Sequence, residues 1–483
     1  MSYRPKIITL TLFLFAVAIL ASLCLAKYPG RGFVYIIFTL VCNACFIYGF
    51  HKNSLFFDLF IGLFFWLGFW LKLTLRVLFS NGIFHEATGQ FDHSGASFDQ
   101  ALVVTCCAVF GLMAAAIIRQ RIFSYPENHA RVITQPALFS VYAKYRSLIL
   151  WTFFALFVFV ASSNVYFGIY QRGQIPNTVL PYGLGGVFKW LLLFGMSSIA
   201  AVMLQFEYVI SKKSAPGLVL LSLLEGCFSN VSLLSRGMIL NQSALIYGLF
   251  RSLKSNAIPI RLRFWAASFL VFSVLFVASV FLSNYLRSDG TISALASVGA
   301  PSSRVRDAAF ADRNASVNST IAMTGPLFID RWVGMEGVLA VVGSDRRGWA
   351  LWQAAWREKY SEYSTSFYDL NLIESPYLTA DTTKNHFISL PGIVAFLYYP
   401  GSYLFLFTFM FLAGAIAAAI EIFAYQAGGK NLILCSLFGQ VIAYRYCSFG
   451  YAPEQTYLLF GTLLLNVIIF NFTEKLLSPR PYK

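Results

Sequence analysis

The sequence predicts an all-α, polytopic integral membrane protein with about twelve transmembrane helices. The first observation behind this is composition. Of 483 residues, 58% are apolar, 17% aromatic and only 12% charged. A water-soluble domain of that length needs more charge on its surface and less apolar material inside. The second is that apolar runs of crossing length recur from one end of the chain to the other. The third is that Lys and Arg concentrate in every second gap between those runs, as topology selection requires.

Crossing the hydrocarbon takes ~20 apolar residues. Runs that meet this lie near 7–26, 33–50, 55–79, 99–118, 148–170, 184–204, 217–234, 237–250, 264–283, 393–424, 432–449 and 455–472. The first follows Arg4 and Lys6 as a signal peptide would. It is long enough to span, and no small-residue cleavage pattern precedes Lys27, so it reads as a retained helix. The run at 237–250 is short enough to be partly re-entrant, and Pro400-Gly401 marks a break before the long tenth run.

Orientation follows from the short loops. Arg4 and Lys6, His51-Lys52, Arg119 to Arg146, Lys212-Lys213, Arg251 to Arg263, Lys430, and Lys475 to Lys483 fall on one side. That side is expected to be the cytoplasm and to hold both termini. The same distribution argues that the formal charge of +15 reflects topology rather than nucleic-acid binding. The eight cysteines all lie in or beside apolar runs; the lone Cys42-x-x-Cys45 pair sits within one and reads as packing. The chain reads as a single membrane domain, 1–483, with a large outer loop at 284–392. That loop is rich in Trp and holds an amphipathic stretch from Gly348 to Tyr360.

Basic residues on the opposite side break the pattern. Lys72 and Arg76 lie four apart on one helix face near an outer helix end. Lys189 and Arg445 occupy similar depths, and Arg236 sits in the hairpin Leu234-Ser235-Arg236-Gly237. Individually, such side chains can snorkel to headgroups. Together they suit a lipid phosphate or pyrophosphate, which Arg grips bidentately. Glu225 is mid-span, where it can pair with a cation or carry a proton; Asp58 and Glu421 lie nearer the cytoplasmic ends, solvated or paired. In the loop, Asp330-Arg331 precedes Gly334-Met335-Glu336-Gly337, Asp345-Arg346-Arg347 follows, and His386 is the lone histidine. A glycosyl transfer needs a base or positioned acceptor, for which His386 is the candidate, and cations for a departing pyrophosphate, for which Arg236, Arg331 and Arg346 are. Arg331 reads alternatively as a salt-bridge partner of Asp330 or Glu336, and His386 as a packing residue. Asn314 and Asn318 match the glycosylation acceptor pattern, which matters only in a eukaryote. Neither a metal site nor a cofactor motif is indicated.

Several features resemble the O-antigen polymerase (Wzy) family of bacterial envelope polysaccharide pathways. They are the late outer loop, Ser235-Arg236-Gly237 at an outer hairpin, and Asp330-Arg331 with its following glycines. The stretch from Asn385 through Leu397-Tyr398-Tyr399-Pro400-Gly401 to Glu421 is also similar. The resemblance covers layout over most of the chain and sequence in short pieces. The His-bearing stretch resembles O-antigen ligases as well. The paired arginine-and-glycine loop repeats of some members are not evident, which counts against a two-loop catch-and-release scheme. Membership implies a GT-C-like, metal-independent glycosyltransferase of the bacterial inner membrane, active on the periplasmic face. Its partners would be undecaprenyl-pyrophosphate-linked donor and acceptor glycans and a chain-length regulator. It implies Arg236 and Arg331 at the pyrophosphate, Lys72, Arg76, Lys189, Arg346 and Arg445 in support, and His386 at the acceptor. A lipid-linked-sugar flippase, a ligase and a scaffold subunit are the rival expectations.

Overall fold

The computed structural model describes residues 4–126, 135–211, 215–235, 237, 239–256, 258, 262–297, 332–361, 365–373, 375 and 388–478. Arg236, Arg331 and His386 lie outside the described residues. So do Asp330, Asn385, both glycosylation patterns, and Arg131, Lys212, Lys213, Arg261, Arg480 and Lys483 of the basic gaps.

Every regular element among the described residues is a helix, and each apolar run named above falls on one. The principal helices are α1 (Arg4–Leu25), α2 (Gly32–Tyr48), α3 (Phe56–Ser80), α4 (Gly95–Ile122), α5 (Pro136–Lys144), α6 (Arg146–Phe167), α7 (Pro181–Ser211) and α8 (Pro216–Ser232). They continue with α9 (Leu240–Ser255), α10 (Leu262–Ser297), α11 (Met335–Gly343), α12 (Trp349–Trp356), α13 (Ile393–Leu397), α14 (Tyr403–Ala427), α15 (Leu432–Cys447) and α16 (Glu454–Leu477). Among the described residues, eight helices are long and apolar enough to cross a membrane. The protein is therefore a polytopic, all-helical membrane protein. The shorter α2, α8 and α15 are also apolar.

The centre of the bundle is α15, with Ile433 to Phe438 buried, packed against α3, α9 and α14. Small residues bring α4 and α14 close: Gly111 and Ala115 face Met410 and Gly414. In lipid, where apolar burial drives little, such close approach supplies the packing energy. Large apolar side chains point outward from α1, α6, α10 and α16, as a lipid-facing ring should; Phe15, Trp151, Phe159, Phe269 and Phe472 are examples.

Helix starts at one end are capped by carboxylates from distant helices. Glu421 of α14 accepts the backbone N–H groups of Phe56 and Phe57 at 2.8 Å each and the Tyr125 hydroxyl at 2.6 Å. Glu474 of α16 accepts from the amides of Ala137 and Leu138 at the start of α5. Asp58 pairs with Arg119 at 2.5 Å, and Arg146 pairs with Glu207, which also accepts from Tyr142. Arg119 and Arg146 thus make structural ion pairs besides contributing to the charge asymmetry. This is the end expected to be cytoplasmic.

The opposite end, expected to be the outer one, carries residues 332–361, 365–373 and 375. The sequence reads 284–392 as one loop. Instead α10 continues to Ser297, and α11 is a buried nine-residue plug packed on α4 and α13. A Cβ on Gly68 would lie 2.6 Å from the Val333 carbonyl oxygen, so only glycine lets α3 approach this segment. The amphipathic stretch forms α12, which ends at Trp356. Trp349 and Trp352 pack on Phe405 of α14, and Trp356 on Phe396 and on Tyr457 of α16. The break at Pro400-Gly401 separates α13 from α14.

Replacing Glu421 with Ala orphans two amides and a hydroxyl in a dry site. We expect a loss of about 2–5 kcal/mol, read as a lower unfolding midpoint in detergent, with Glu421→Gln intermediate because it retains one acceptor oxygen.

Candidate functional site

The outer end of the bundle gathers cations around one tyrosine. Tyr170 follows α6, and its position is set by Asn164. The Asn164 amide donates to the carbonyls of Tyr170 and Ser232 and to the Ser232 hydroxyl, and its oxygen accepts from the Tyr170 N–H, all at 2.9–3.0 Å. Asn164 thereby ties the end of α6 to the end of α8. Two residues on, the Arg172 N–H donates to the Leu233 carbonyl at 2.9 Å. The segment 170–172 therefore lies against the α8–α9 hairpin, the one that contains Arg236.

The hairpin is held as firmly. The Asn230 amide donates to the Ser279 hydroxyl, its backbone carbonyl accepts from the Ser235 N–H, and the Ser235 carbonyl accepts from the Ser283 hydroxyl. Leu234 adopts φ 47°, a left-handed conformation that costs a branched residue energy and persists only where the surroundings impose it. A Cβ on Gly237 would lie 2.6 Å from the Tyr444 hydroxyl oxygen, so this glycine lets the hairpin close on α15.

Three half-buried cations converge here. Lys189 of α7 lies over the Tyr170 ring at 4.5 Å and the Tyr360 ring at 5.4 Å. The Arg172 guanidinium lies beside Tyr170 and Tyr444 and interacts with both side chains. Arg445, in the last turn of α15, lies near Tyr170 and close enough to Arg172 to feel its charge. Its Nε donates to the Thr456 hydroxyl at 2.8 Å. Tyr360 and Tyr451 complete the wall, their rings 5.8 Å apart, with the Tyr451 hydroxyl donating to the Ser361 carbonyl. Glu358 straps this loop down by accepting from the amides of Phe367 and Ala452. Burial pushes the Glu358 carboxyl, and that of the nearby Asp369, above the usual carboxylate range.

None of the ion pairs among the described residues involves Lys189 or Arg445. Like charges in a half-desolvated space repel strongly because the local dielectric is low. Glu454 accepts from the Tyr360 N–H at the edge of the group, and the tyrosine rings offer flat apolar faces beside the cations.

The structure thus brings together two of the sequence-derived candidates, Lys189 and Arg445, and adds Arg172. Arg172 is the lone charge in the gap 171–183. A cation in an outer gap that otherwise has none was the signal that could have found it. The remaining candidates divide. Lys72 is buried, ion-paired with Glu336 of α11, and donates to the Trp332 carbonyl at 2.8 Å. Its role is to hold the plug rather than to snorkel, with Glu336 as its carboxylate partner. Burial pushes the Glu336 carboxyl up against the opposing pull of that ammonium. Trp332 links this pair to the cationic group: its ring stacks on Phe64 at 5.7 Å, and Phe64 meets Tyr444. Arg76 donates to the Ser80 hydroxyl one turn along α3. Arg346 is exposed beside α12 and donates to the Asn371 carbonyl at 3.3 Å, apart from the Tyr170 group.

Removing one member of the buried pair strands the other charge. Lys72→Met is expected to cost about 3–5 kcal/mol, and Lys72→Met with Glu336→Met to recover most of it, measured as unfolding midpoints in detergent. If Lys72→Met leaves stability unchanged, the pair does not hold the plug. Comparison with known proteins returns no matching family model, curated protein or solved structure.

Proposed function

We propose that the chain is a membrane glycosyltransferase of the O-antigen polymerase type. It would join undecaprenyl-pyrophosphate-linked repeat units on the periplasmic face of a bacterial inner membrane, within a GT-C-like bundle of about twelve spans. One observation carries this reading: Lys189, Arg172 and Arg445 converge around Tyr170 at the outer end, within a wall of tyrosines. A lipid-linked pyrophosphate supplies the charge such a group needs, at the depth where its headgroup sits. The adjoining rings suit the apolar faces of sugars.

In this reading the growing chain on one lipid is the donor and a single repeat unit on another is the acceptor. The acceptor hydroxyl oxygen attacks the donor's anomeric carbon. The bond from that carbon to the pyrophosphate oxygen breaks, and the electron pair departs on undecaprenyl pyrophosphate. Cations placed where negative charge grows lower the barrier more than they stabilise the ground state. Arg445, Lys189 and Arg172 take that role with Arg236 and Arg331, and Arg76 and Arg346 are not needed in it. His386 takes the hydroxyl proton or positions the hydroxyl. Lys72 acts at one remove, by fixing Glu336 and Trp332. The scheme calls for no nucleotide sugar, and a separate chain-length regulator would be the protein partner.

The test is single substitution of Arg172, Lys189, Arg445, Arg236 and His386 by Ala in a strain lacking the gene, with membrane protein levels matched. Loss of a charge-stabilising donor is expected to cut polymerised product about 100-fold or more, collapsing the lipopolysaccharide ladder to core plus one repeat. Loss of even the single repeat points to a flippase or a ligase instead. A full ladder in every variant sinks the proposal.

A further inference from the structure

Deep in the same bundle lies a carboxyl group that the glycosyl-transfer reading does not use. Glu225 is about midway along α8 and is 1% exposed. One oxygen, Oε1, accepts from the Ser229 hydroxyl at 2.9 Å, one turn along. The other, Oε2, accepts from the Gln242 amide of α9 at 2.8 Å and from the Ser197 hydroxyl of α7 at 3.2 Å. The Gln242 oxygen in turn accepts from the Ser222 hydroxyl at 2.6 Å, and its amide also reaches Ser197 at 3.3 Å. All of these side chains are buried. Gly226 makes the ring possible, because a Cβ there would lie 2.3 Å from Cγ of Gln242.

The partners that touch Glu225 are neutral. The helices packed on α8 are α6, α7, α9 and α10, and their charged groups lie well away. At 1.5 Å per residue, Lys189 and Glu207 sit about 12 Å and 15 Å along α7 from Ser197, and Arg251 and Lys254 more than about 13 Å along α9 from Gln242. Arg146 opens α6 and pairs with Glu207; Arg263 opens α10. The other titratable residues on these helices are Tyr166, Tyr182 and Tyr285, Arg287 and Asp289 in the far part of α10, Tyr208 bonded to Ser252, Tyr247 packed on Phe56 and Phe60, and Cys227 beside Glu225 on α8.

A carboxylate held there without a counter-charge bears a large desolvation penalty, and intramembrane carboxyls are retained where they do something. The ring around it is suited to two charge states. A serine hydroxyl donates or accepts according to its rotation. When the carboxyl is ionised, Ser197, Ser229 and Gln242 all donate to it. When it is protonated, its own O–H donates to Ser197 or Ser229, whose hydroxyl turns, while Gln242 keeps donating to the other oxygen. A metal ion would need the same oxygens to aim lone pairs at one centre. The direct Ser222–Gln242 and Gln242–Glu225 bonds leave no such centre.

We propose that Glu225 is an exchangeable proton-binding site inside the bundle, taking up and releasing one proton to the aqueous phase while the surrounding hydroxyls rotate. Asn241, the neighbour of Gln242, donates to the Leu193 carbonyl in the π-helical turn Leu191–Gly195. That turn lies two residues from Lys189, so the proton site and the outer cationic group share one rigid path. The site stands whether or not the chain transfers sugars.

The probe is dicyclohexylcarbodiimide on the purified full-length protein in phosphatidylglycerol-containing vesicles. A protonated carboxyl adds across the carbodiimide C=N bond, and acyl migration leaves a stable N-acylurea with no group lost. We expect one adduct on the Glu225 peptide, falling at least tenfold as pH is raised, absent in Glu225→Gln, retained in Glu421→Gln and indifferent to sodium. Protection by sodium at fixed pH would make this a metal site and overturn the proposal. Because the reagent must reach the carboxyl, pH-difference infrared spectra provide the second reading. A protonated-carboxyl carbonyl band should appear on acidification and vanish in Glu225→Gln. Absence of both adduct and band over the pH range in which the protein stays folded rejects the inference.

Discussion

A helix that begins inside a low-dielectric bundle presents N–H groups that no water can reach, and the rest of this structure depends on how those groups are met. Glu421 answers the problem for α3 by bonding two of its first amides from the middle of another helix. The position of α3 then sets that of Lys72, Lys72 fixes Glu336 and Trp332, and these seat the α11 plug at the far end. A carboxylate near one membrane face thus constrains a loop near the other, through a rigid helix and one buried ion pair. The same device recurs where Glu474 receives the start of α5, which makes that end of the bundle a fixed base.

At the outer end the order of causes is reversed. There the backbone is not regular, and side chains dictate where it goes. Asn164 joins three segments by satisfying both a donor and an acceptor of the chain around Tyr170, and the strained Leu234 is held by the bonds on either side. Cations reach the same place from α7, from a loop and from α15, Lys189 over a tyrosine ring, Arg172 beside two tyrosines and Arg445 bonded to the Thr456 hydroxyl. Each contact is weak in isolation. Their concentration in a half-buried space is what sets this end of the bundle apart from the rest of it.

Much of the fold was legible in the sequence because lipid imposes a length and a composition on every crossing helix. The runs, their order and the break at Pro400-Gly401 were all readable, and so were Lys189 and Arg445 as misplaced cations. What was not legible required knowing who faces whom. Lys72 and Trp332 are 260 residues apart, and no local pattern announces that contact. The π-helical turns at Trp66–Leu71 and Leu191–Gly195 leave no mark in hydrophobic periodicity, because the whole run is apolar. Arg172 is the lone charge of a short gap, and nothing in that gap shows which helices it meets. The nine residues of α11, Glu336 among them, are too few to read as a span.

The tryptophans of α12 have a consequence for where the protein sits in its bilayer. Trp349 and Trp356 remain 52% and 36% exposed, and indole rings prefer the boundary between headgroups and hydrocarbon. Because α12 packs on the first turns of α14 and α16, this preference registers the whole bundle against one leaflet. In a thinner or thicker membrane the mismatch is then taken up at the opposite face, where basic side chains have length to spare. The cationic group keeps a constant depth while the bilayer around it varies, as a ruler does when it is read from one end.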